Sequence, residues 1–278
     1  MSTATTPAKE EKFEPPPGPI VVFDDVSIAF DLKPVLQNIS FSVDLGQTLI
    51  ILGPAGCGKS VLMKLANGLI CPDSGTIQVF GQEVTTMSEV DLYALRAHIG
   101  MVFQESALFD SLSVEDNIAY RLHEQRVPEE ECHKRVVEAL KFVDLEHTID
   151  KFPSELSGGM RRRVSIARAI ITGPDLILYD SPTGGLDPIT STTIVELIVK
   201  QRDVSHATSL LITHRLQDAF VLAMNRFNQE TGKMELIPDG GINPSTMFMV
   251  LNEGKIVFHG TTEELVHTED PWLKNFLS

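Results

Sequence analysis

The sequence predicts a doubly wound α/β domain with a helical insertion, and three observations support this fold class. Two short apolar runs, DLILYD at 175–180 and SLLIT at 209–213, are typical of strands covered on both faces in a parallel sheet. Residues 188–203 between them favour a connecting helix. A third apolar run, TLIIL, enters a glycine-rich loop followed by another helical stretch. Strands that alternate with helices indicate an α/β core.

Composition limits the classes of partner. The chain has 278 residues, 42% of them hydrophobic, and a net charge of −15, so it can form a sizeable core but is a poor general binder of nucleic acid. No apolar run approaches the ~20 residues needed to cross a bilayer. The first residues lack the apolar segment of a secretion signal. We therefore expect a cytosolic protein without a nucleic-acid partner, whose role at a membrane depends on another subunit.

The three cysteines predict no disulfide framework and no zinc site. Cys57, Cys71 and Cys132 are odd in number and form no CxxC pair, so we expect reduced thiols. Cys57 lies inside the glycine-rich loop, where alkylation could block a ligand. The simpler interpretation is a variable small residue at that position.

The order of elements suggests one domain. Residues 1–18 are rich in Thr, Pro, Lys and Glu, which predicts a disordered tail, and residues 19–278 predict a single folded domain. The region from about 105 to 172 is mostly helical in pattern. Pro128 followed by Glu129 and two more glutamates favours a helix start, because proline is tolerated in the first turn and acids there interact favourably with the helix dipole.

The last quarter of the domain predicts smaller elements. Residues 225–246 are polar and rich in turn formers, which indicates an inserted loop or hairpin of unknown role. Residues 247–278 predict a hairpin and a final helix. Thr261 and Glu264 have the spacing of a capping box at the start of a helix.

Residues 53–60, GPAGCGKS, fit the phosphate-loop pattern G-x4-G-K-[ST] without a mismatch. Glycines let the backbone N–H groups point inward at phosphate oxygens, and the following helix adds its positive N-terminus. Lys59 should reach the β- and γ-phosphates and Ser60 should ligate Mg²⁺. The alternative, a glycine-rich turn with a chance lysine, is disfavoured by the strand before and the helix after. The expected nucleotide contacts are Gly53, Pro54, Ala55, Gly56, Cys57, Gly58, Lys59, Ser60 and Val61.

A phosphate loop alone is compatible with kinases, GTPases, helicases and transporters, and further motifs discriminate among them. LSGGM stands at 156–160, the run DLILYD ends in Asp180, and TGGLD stands at 183–187. The remaining three motif residues are Gln104 after a predicted strand, His214 after Thr213, and Phe30. Together these six elements occur along the chain in the order found in the ABC ATPases, and the resemblance covers about residues 20–224.

The resemblance implies a P-loop core of the ABC type, with an antiparallel β subdomain and a helical subdomain. It implies that Phe30 stacks on adenine and that ATP and Mg²⁺ are the cofactors. Ser60, Gln104 and Asp180 would surround the metal, Asp180 through a water molecule. Gln104, Asp187 and His214 would carry the catalytic roles. A lone histidine at a strand end is more often structural, so the role of His214 depends on the whole set of motifs.

The motif LSGGM at 156–160, which resembles the signature sequence of the ABC ATPases, predicts a second anion site. A Ser-Gly-Gly turn before a helix offers a hydroxyl, bare backbone N–H groups and a helix N-terminus, here Ser157, Gly158 and Gly159. In the family this site faces the γ-phosphate held by the other subunit, so one cassette needs a second, most simply another copy. The run Arg161 to Arg163 is either a solvated helix face or a contact across the dimer.

One residue departs from the family pattern. Asp180 fits the Walker B aspartate of the family. The family normally places glutamate directly after it, where the carboxylate polarises the attacking water, but this chain has Ser181. A serine hydroxyl has no useful basicity near neutral pH, and general base assistance is typically worth ~10²–10⁴ in rate. We therefore predict normal ATP binding and dimer closure with slow hydrolysis. An engineered replacement of glutamate is the alternative origin.

Softer patterns resemble the Mla-type, Mce-associated phospholipid transport ATPases. These are FQESALFDSLSVEDN at 103–117, LSGGM-x-RR, GLDPIT and the ending HG-x3-EL…DPW-x3-FL. The resemblance implies a permease dimer in the inner membrane, an Mce-type lipid-binding protein, and a location on the cytoplasmic face. Residues 105–122 would receive the permease through Leu108, Phe109 and Leu112, or these residues pack within the helical subdomain. The final helix, with Trp272, docks on a neighbouring subunit or on its own domain.

Other functions remain open at this point. A soluble ABC ATPase acting on ribosomes or DNA is disfavoured by the single cassette, the lack of coiled coils and the acidic charge. An ABC importer or exporter ATPase for another substrate is a second alternative. The third is a nucleotide-gated structural subunit with little turnover, which Ser181 supports.

Overall fold

The structure is a computed structural model that describes residues 17–278, so the tail predicted to be disordered lies almost wholly outside the described residues. The strands are Val21–Phe30 (β1), Lys33–Val43 (β2), Thr48–Leu52 (β3), Ser74–Val79 (β4), Gln82–Glu83 (β5), Ile99–Val102 (β6), Leu176–Asp180 (β7), Thr208–Ile212 (β8), Asn225–Asn228 (β9), Lys233–Leu236 (β10), Thr246–Asn252 (β11) and Lys255–Thr261 (β12). The helices are Lys59–Ala66 (α1), Glu89–Arg96 (α2), Val114–Glu124 (α3), Glu129–Phe142 (α4), Gly158–Ile170 (α5), Pro188–Ser205 (α6), Leu216–Met224 (α7), Thr262–Val266 (α8) and Pro271–Leu277 (α9).

A six-stranded sheet in the order β12-β11-β3-β8-β7-β6 forms the centre. The five strands from β11 to β6 are parallel, and β12 pairs antiparallel with β11. Every residue of β3 and β8 is buried, as the continuous apolar runs predicted. The carboxyl ends of parallel strands share one edge of the sheet, which is where ligands bind in α/β folds. The predicted α/β fold class is confirmed.

A second sheet of four antiparallel strands, in the order β2-β1-β4-β5, packs beside the phosphate-loop helix. Phe23 of β1 and Phe41 of β2 stack in its interior with ring centroids 4.7 Å apart. Leu62 and Leu65 of α1 belong to the same buried cluster as these rings. This sheet therefore covers one side of the central strands and fixes α1 against them.

Helices α3, α4 and α5 form the helical region. Helix α4 begins at Glu129 directly after Pro128, with three glutamates in its first turn, as predicted. The loop before α3 is held by the buried Asn117, whose amide donates to the carbonyl oxygens of Phe109, Leu112 and Ser113 at 2.9–3.1 Å. Side chains of all three helices join the core cluster that also contains Ile177 and Tyr179 of β7.

The polar segment after α7 is a hairpin, β9 paired with β10, and it packs against α6. The buried Arg202 of α6 anchors it by donating to the carbonyl oxygens of Leu222 at 2.5 Å and Asn225 at 2.8 Å. Asp203 accepts from the Phe227 backbone N–H at 2.7 Å. The hairpin is thus an ordered extension of the core.

The C-terminal segment packs on its own domain. Thr261 and Glu264 form the predicted capping box at the start of α8. In α9, Leu273 is buried, and the rings of Trp272 and Phe276 stack with centroids 5.3 Å apart while packing on the main core cluster. Across residues 17–278, no helix combines the length and apolar character that a membrane span requires.

Candidate nucleotide-binding site

The phosphate loop joins β3 to α1, and its shape depends on glycine at two positions. Gly53 has φ +147, and a Cβ there would lie 2.2 Å from the Leu251 carbonyl oxygen. Gly58 has φ +104, and a Cβ there would lie 2.6 Å from Leu36 Cδ2. A larger residue at position 53 would displace the backbone of β11 at Leu251, and one at position 58 would displace the Leu36 side chain of β2. The loop therefore curls tightly at the N-terminus of α1, where its N–H groups can bind phosphate.

Lys59 is held over this loop by the loop's own carbonyl groups. Its Nζ donates to the oxygens of Gly53 at 2.8 Å and Pro54 at 2.7 Å, and it lies 3.7 Å from Cys57 Sγ. The ammonium is thus fixed against the loop that the sequence predicts to bind phosphate. Of the other expected nucleotide contacts, Cys57 and Gly58 are buried and Val61 is half-buried, whereas Pro54, Ala55, Gly56 and Ser60 are exposed.

Strand order brings the remaining motif residues to the same edge of the sheet. Strand β3 neighbours β8, which neighbours β7, and β7 neighbours β6. The strand ends therefore place the phosphate loop, His214, Asp180 and Gln104 side by side. The side chains of His214 and Gln104 are exposed there. Phe30, at the end of β1, is also exposed, at 47%, so its ring is free to stack on a base.

Ser181 directly follows Asp180 and occupies the left-handed region with φ +49. Its N–H donates to the Ile212 carbonyl oxygen at 3.0 Å, which ties it to β8. Its Oγ donates to Asp180 Oδ1 at 3.2 Å. The hydroxyl is therefore a hydrogen-bond donor to the Walker B carboxylate, and nothing in this arrangement makes it a base.

Arg162 of α5 is the residue that the sequence interpretation placed wrongly. Its side chain lies neither on a solvated face nor on a surface facing a second subunit, because it is 4% exposed. The guanidinium donates to the carbonyl oxygens of Gln104, Ser181, Pro182 and Gly184 and to Ser106 Oγ. Burial lowers the pKa of Arg162, and the nearby Glu105 opposes that shift.

The other two arginines of the run have different environments. Arg161 is an exposed residue that donates to the Leu156 carbonyl oxygen at 2.7 Å. Arg163 is half-buried and donates to the Val143 carbonyl oxygen at 3.0 Å, and burial lowers its pKa. Helical periodicity could have indicated that one of three consecutive arginines faces inward, but it could not identify the acceptors.

The signature turn stands at the N-terminus of α5. Ser157 is the N-cap residue, and its Oγ accepts from the Met160 N–H at 3.3 Å. A Cβ on Gly159 would lie 2.4 Å from Thr190 Cγ2, so the turn packs directly on α6. Ser157 and Gly158 are exposed. The hydroxyl and the helix N-terminus thus face outward, as a second anion site would require.

Asp187 caps α6. It accepts from the Thr190 backbone N–H at 3.0 Å and from the Thr190 hydroxyl at 2.5 Å. These hydrogen bonds, that of the Thr190 hydroxyl first, lower the pKa of Asp187. The structure shows Asp187 in a capping role, with part of its side chain still accessible.

A buried polar network links the turn after Asp180 to the segment after His214, and the sequence interpretation missed it. Thr183 Oγ1 donates to Asp218 Oδ2 at 2.6 Å, and Arg215 Nε lies 3.5 Å from the same oxygen. Arg215 also donates to Ser191 Oγ of α6 at 2.6 Å. An acidic residue inside the otherwise apolar helix LQDAFVLAM was the available signal.

An apolar groove lies between α2, β6 and the loop before α3, with a volume of about 420 Å³. Phe109 is exposed and contacts Tyr120 with ring centroids 4.9 Å apart. Leu108, in contrast, packs on the core cluster. The three residues considered for a partner contact therefore differ in position. Phe109 lines the groove, whereas Leu108 packs into the core of the domain. Leu112 is half-buried.

This fold and site define a P-loop nucleotide-binding protein. The family model described as ABC transporter matches residues 36–184. The chain is 35% identical over 259 residues to the intermembrane phospholipid transport system ATP-binding protein MlaF of Escherichia coli, covering 93% of this chain and 88% of that protein. It is 44% identical over 181 residues to the methionine import ATP-binding protein MetN 2 of Bacillus cereus, covering 65% of this chain and 53% of that protein.

Solved structures of ABC cassettes have the same fold as this chain. A dimeric post-hydrolysis state of the ATP-binding cassette MJ0796 with ADP and Pi matches with a TM-score of 0.73 and 26% identity, covering 87% of this chain and 98% of that one. The cbiO1 protein of Clostridium perfringens matches with a TM-score of 0.74 and 28% identity, covering 89% and 90%. The chain belongs to the ABC transporter family and resembles MlaF over nearly its whole length. It is an ATPase subunit of that family, a P-loop enzyme whose ligand is ATP.

Proposed function

We propose that this chain powers phospholipid transport by a membrane permease, from the cytoplasmic face of the membrane. The observation that carries the proposal is the extent of the match to MlaF, which covers 93% of the chain, whereas the match to MetN 2 covers 65%. An ATPase for another substrate is the competing proposal, supported by the higher identity to MetN 2 over the shorter span.

Two cassettes would close around ATP. The outward-facing Ser157 hydroxyl and the N-terminus of α5 are suited to the γ-phosphate of nucleotide on a second chain. The phosphate loop with Lys59 would hold the chain's own nucleotide. The dimer of the similar cassette MJ0796 supports this arrangement, and a second copy of this chain is the simplest partner.

The donor set fits Mg²⁺. Ser60, Gln104 and Asp180 offer a hydroxyl, an amide and a carboxylate, which are hard oxygen ligands. Among residues 17–278 no group of three or more His, Cys, Asp and Glu side chains could hold a metal. A metal held by Ser60, Gln104 and Asp180 would take its remaining ligands from the phosphates, as Mg²⁺ does in nucleotide sites. Mg²⁺ would supply charge neutralisation for the phosphates.

The hydrolytic step would be slow. The Ser181 hydroxyl donates a hydrogen bond to Asp180 and provides no base for the attacking water. Gln104 and His214, exposed at the same edge of the sheet, are the groups left to orient that water. Lys59 and the signature turn would still stabilise charge on the γ-phosphate, so turnover is reduced and not abolished.

The test is the steady-state ATPase rate of the complex with its permease. Ser181→Glu should raise the rate by about 10²-fold, at the low end of the effect of a general base. Ser181→Ala is the matched control, and its rate should stay within about twofold of the wild type, because the hydroxyl does not act as a base. Equal rates for all three proteins would contradict the slow-site proposal.

The apolar groove with Phe109 and Tyr120 would receive the permease, and an Mce-type lipid-binding protein would be a further partner. Purification from cells under gentle detergent tests both. An integral membrane protein bound to the wild type, and lost from a Phe109→Asp variant, supports the transporter. Recovery of ribosomal RNA or DNA instead would refute it.

A nucleotide-gated structural subunit is the second candidate, and Ser181 again favours it. Here ATP would close the dimer with almost no turnover. Release of phosphate by the assembled complex separates the two proposals. Transport that proceeds with a non-hydrolysable ATP analogue in place of ATP would favour the structural subunit, and transport that stops with it would favour the slow ATPase.

A further inference from the structure

The geometry points to Arg162 as a positioning residue for the metal-binding half of the nucleotide site. This inference rests on the proposed role of Gln104 and Asp180 at Mg²⁺. Arg162 is not itself one of the expected nucleotide or metal contacts. It joins two separate segments next to such contacts, the one carrying Gln104 and the one following Asp180.

The Arg162 guanidinium has five acceptors in two segments of the chain. One guanidinium donates to the carbonyl oxygens of Ser181 at 3.2 Å, Pro182 at 2.7 Å and Gly184 at 3.4 Å. It also donates to the carbonyl oxygen of Gln104 and, at 3.3 Å, to Ser106 Oγ. The planar fork of an arginine can bind several acceptors in fixed directions, which a lysine cannot reproduce.

The Arg162 guanidinium is buried among uncharged acceptors. Arg162 is 4% exposed, and each acceptor just described is a neutral carbonyl or hydroxyl oxygen. A buried cation is costly unless its donors are satisfied, so the surrounding backbone must hold its carbonyl groups in place. The two segments consequently cannot move independently of each other while Arg162 stays buried between them.

Three of the carbonyl groups bonded to Arg162 lie in the turn at residues 181–184. Ser181 has φ +49, and its carbonyl oxygen accepts from both Arg162 and the Gly184 N–H, the latter at 2.9 Å. A Cβ on Gly184 would lie 3.2 Å from Gln104 Cγ, so the turn also touches the Gln104 side chain. Arg162 thereby holds the backbone of Gln104 and the backbone of the turn after Asp180 in a fixed relation to each other.

The phosphate loop lies outside this network. Lys59 bonds to Gly53 and Pro54, and Gly58 packs on Leu36. Loss of the Arg162 guanidinium should therefore weaken Mg²⁺-dependent binding of nucleotide and leave Mg²⁺-free binding through the phosphate loop and Phe30 in place. A residue needed only for folding would affect both kinds of binding together.

The experiment compares full-length wild type with Arg162→Met, which keeps the apolar stem, and with Arg162→Lys, which keeps the charge. A ribose-labelled fluorescent ATP analogue is titrated in EDTA and at increasing Mg²⁺. Arg162→Met should raise the Mg²⁺ concentration for half-maximal binding by about tenfold. This is the low end of the loss of metal affinity seen when a residue that supports metal ligands is replaced. Arg162→Lys should give a smaller increase. The affinity in EDTA should stay unchanged.

Arg163→Met is the matched control, because Arg163 lies on the same helix and bonds to the distant Val143 carbonyl oxygen. Its Mg²⁺ requirement should equal that of the wild type. Hydrogen exchange gives a second measurement: Arg162→Met should speed exchange in residues 104–107 and 181–185 together, with no change in residues 53–60. If Arg162→Met does not fold, Arg162→Lys carries both measurements.

The outcomes are distinct. An unchanged Mg²⁺ requirement in both Arg162 variants, or an equal loss of affinity with and without Mg²⁺, overturns the inference while leaving the proposed function intact. Wild-type binding that shows no dependence on Mg²⁺ refutes the proposed metal site, and the inference with it. A raised Mg²⁺ requirement with faster exchange in both segments supports it.

Discussion

Thr183 Oγ1 donates a hydrogen bond of 2.6 Å to Asp218 Oδ2, and the two residues are only 2% and 7% exposed. This bond connects the turn after the Walker B strand to the helix after His214. The segments that follow the neighbouring strands β7 and β8 are thus joined by a buried hydrogen bond.

Thr183→Val should destabilise the protein because it removes the hydroxyl donor of the buried Asp218 carboxylate, which then keeps only the longer contact with Arg215. Hydrogen bonds to charged groups contribute about 1.5–3 kcal/mol, and the free energy of unfolding should fall by a similar amount. Urea denaturation measures it. Thr192→Val, on the exposed side of α6, should change stability by no more than about 0.5 kcal/mol. Equal effects of the two substitutions would show that the Thr183 bond is not important.

Lys59→Ala should weaken ATP binding by about 10–100-fold, because a charge-assisted hydrogen bond to phosphate contributes about 1.5–3 kcal/mol. Lys64→Ala, an exposed lysine in the last turn of the same helix, should bind as the wild type does. Calorimetric titration with ATP distinguishes them. Comparable losses in both variants would indicate only the general charge of the helix.

Phe30→Ala should reduce ATP affinity because the exposed ring would no longer stack on adenine, an interaction worth about 1–3 kcal/mol per base in nucleic-acid complexes. Phe30→Trp should retain the affinity. The control is Leu236→Ala, an exposed apolar residue on the β9–β10 hairpin. Full affinity in Phe30→Ala would remove Phe30 from the site.

Lys200→Met should loosen the hairpin and the end of α4 together. Lys200 Nζ donates to the Phe142 carbonyl oxygen at 2.8 Å and lies 4.2 Å from the Phe142 ring centroid and 5.7 Å from that of Phe227. A partly desolvated cation–π contact and one hydrogen bond should cost about 1–2 kcal/mol of stability. Lys233→Met, on the exposed hairpin strand, is the control. Proteolysis at 229–232 that is no faster than in the wild type would contradict this role.

The local motifs could be predicted because their chemistry is contained in short segments. The phosphate loop needs only its glycines, Lys59 and flanking elements, and the capping box at Thr261 needs only two side chains three residues apart. The strands β3, β7 and β8 were recognisable because burial on both faces demands uninterrupted apolar runs.

The parts that were missed depend on contacts between distant segments. The rotation of α5 against the Gln104 segment decides whether Arg162 or Arg161 faces inward. Three adjacent arginines in the sequence do not indicate that rotation. Asp218 finds its partner 35 residues away. The alternatives for Trp272 stayed open for the same reason, because an aromatic residue near a chain end suits its own domain and a neighbour equally.

The stacking of Trp272 on Phe276 has a practical consequence for spectroscopy. The chain contains a single tryptophan, and it lies in the C-terminal helix. Its intrinsic emission therefore reports on the attachment of that helix to the core, so a shift of the emission to longer wavelength would register release of the C-terminal helix.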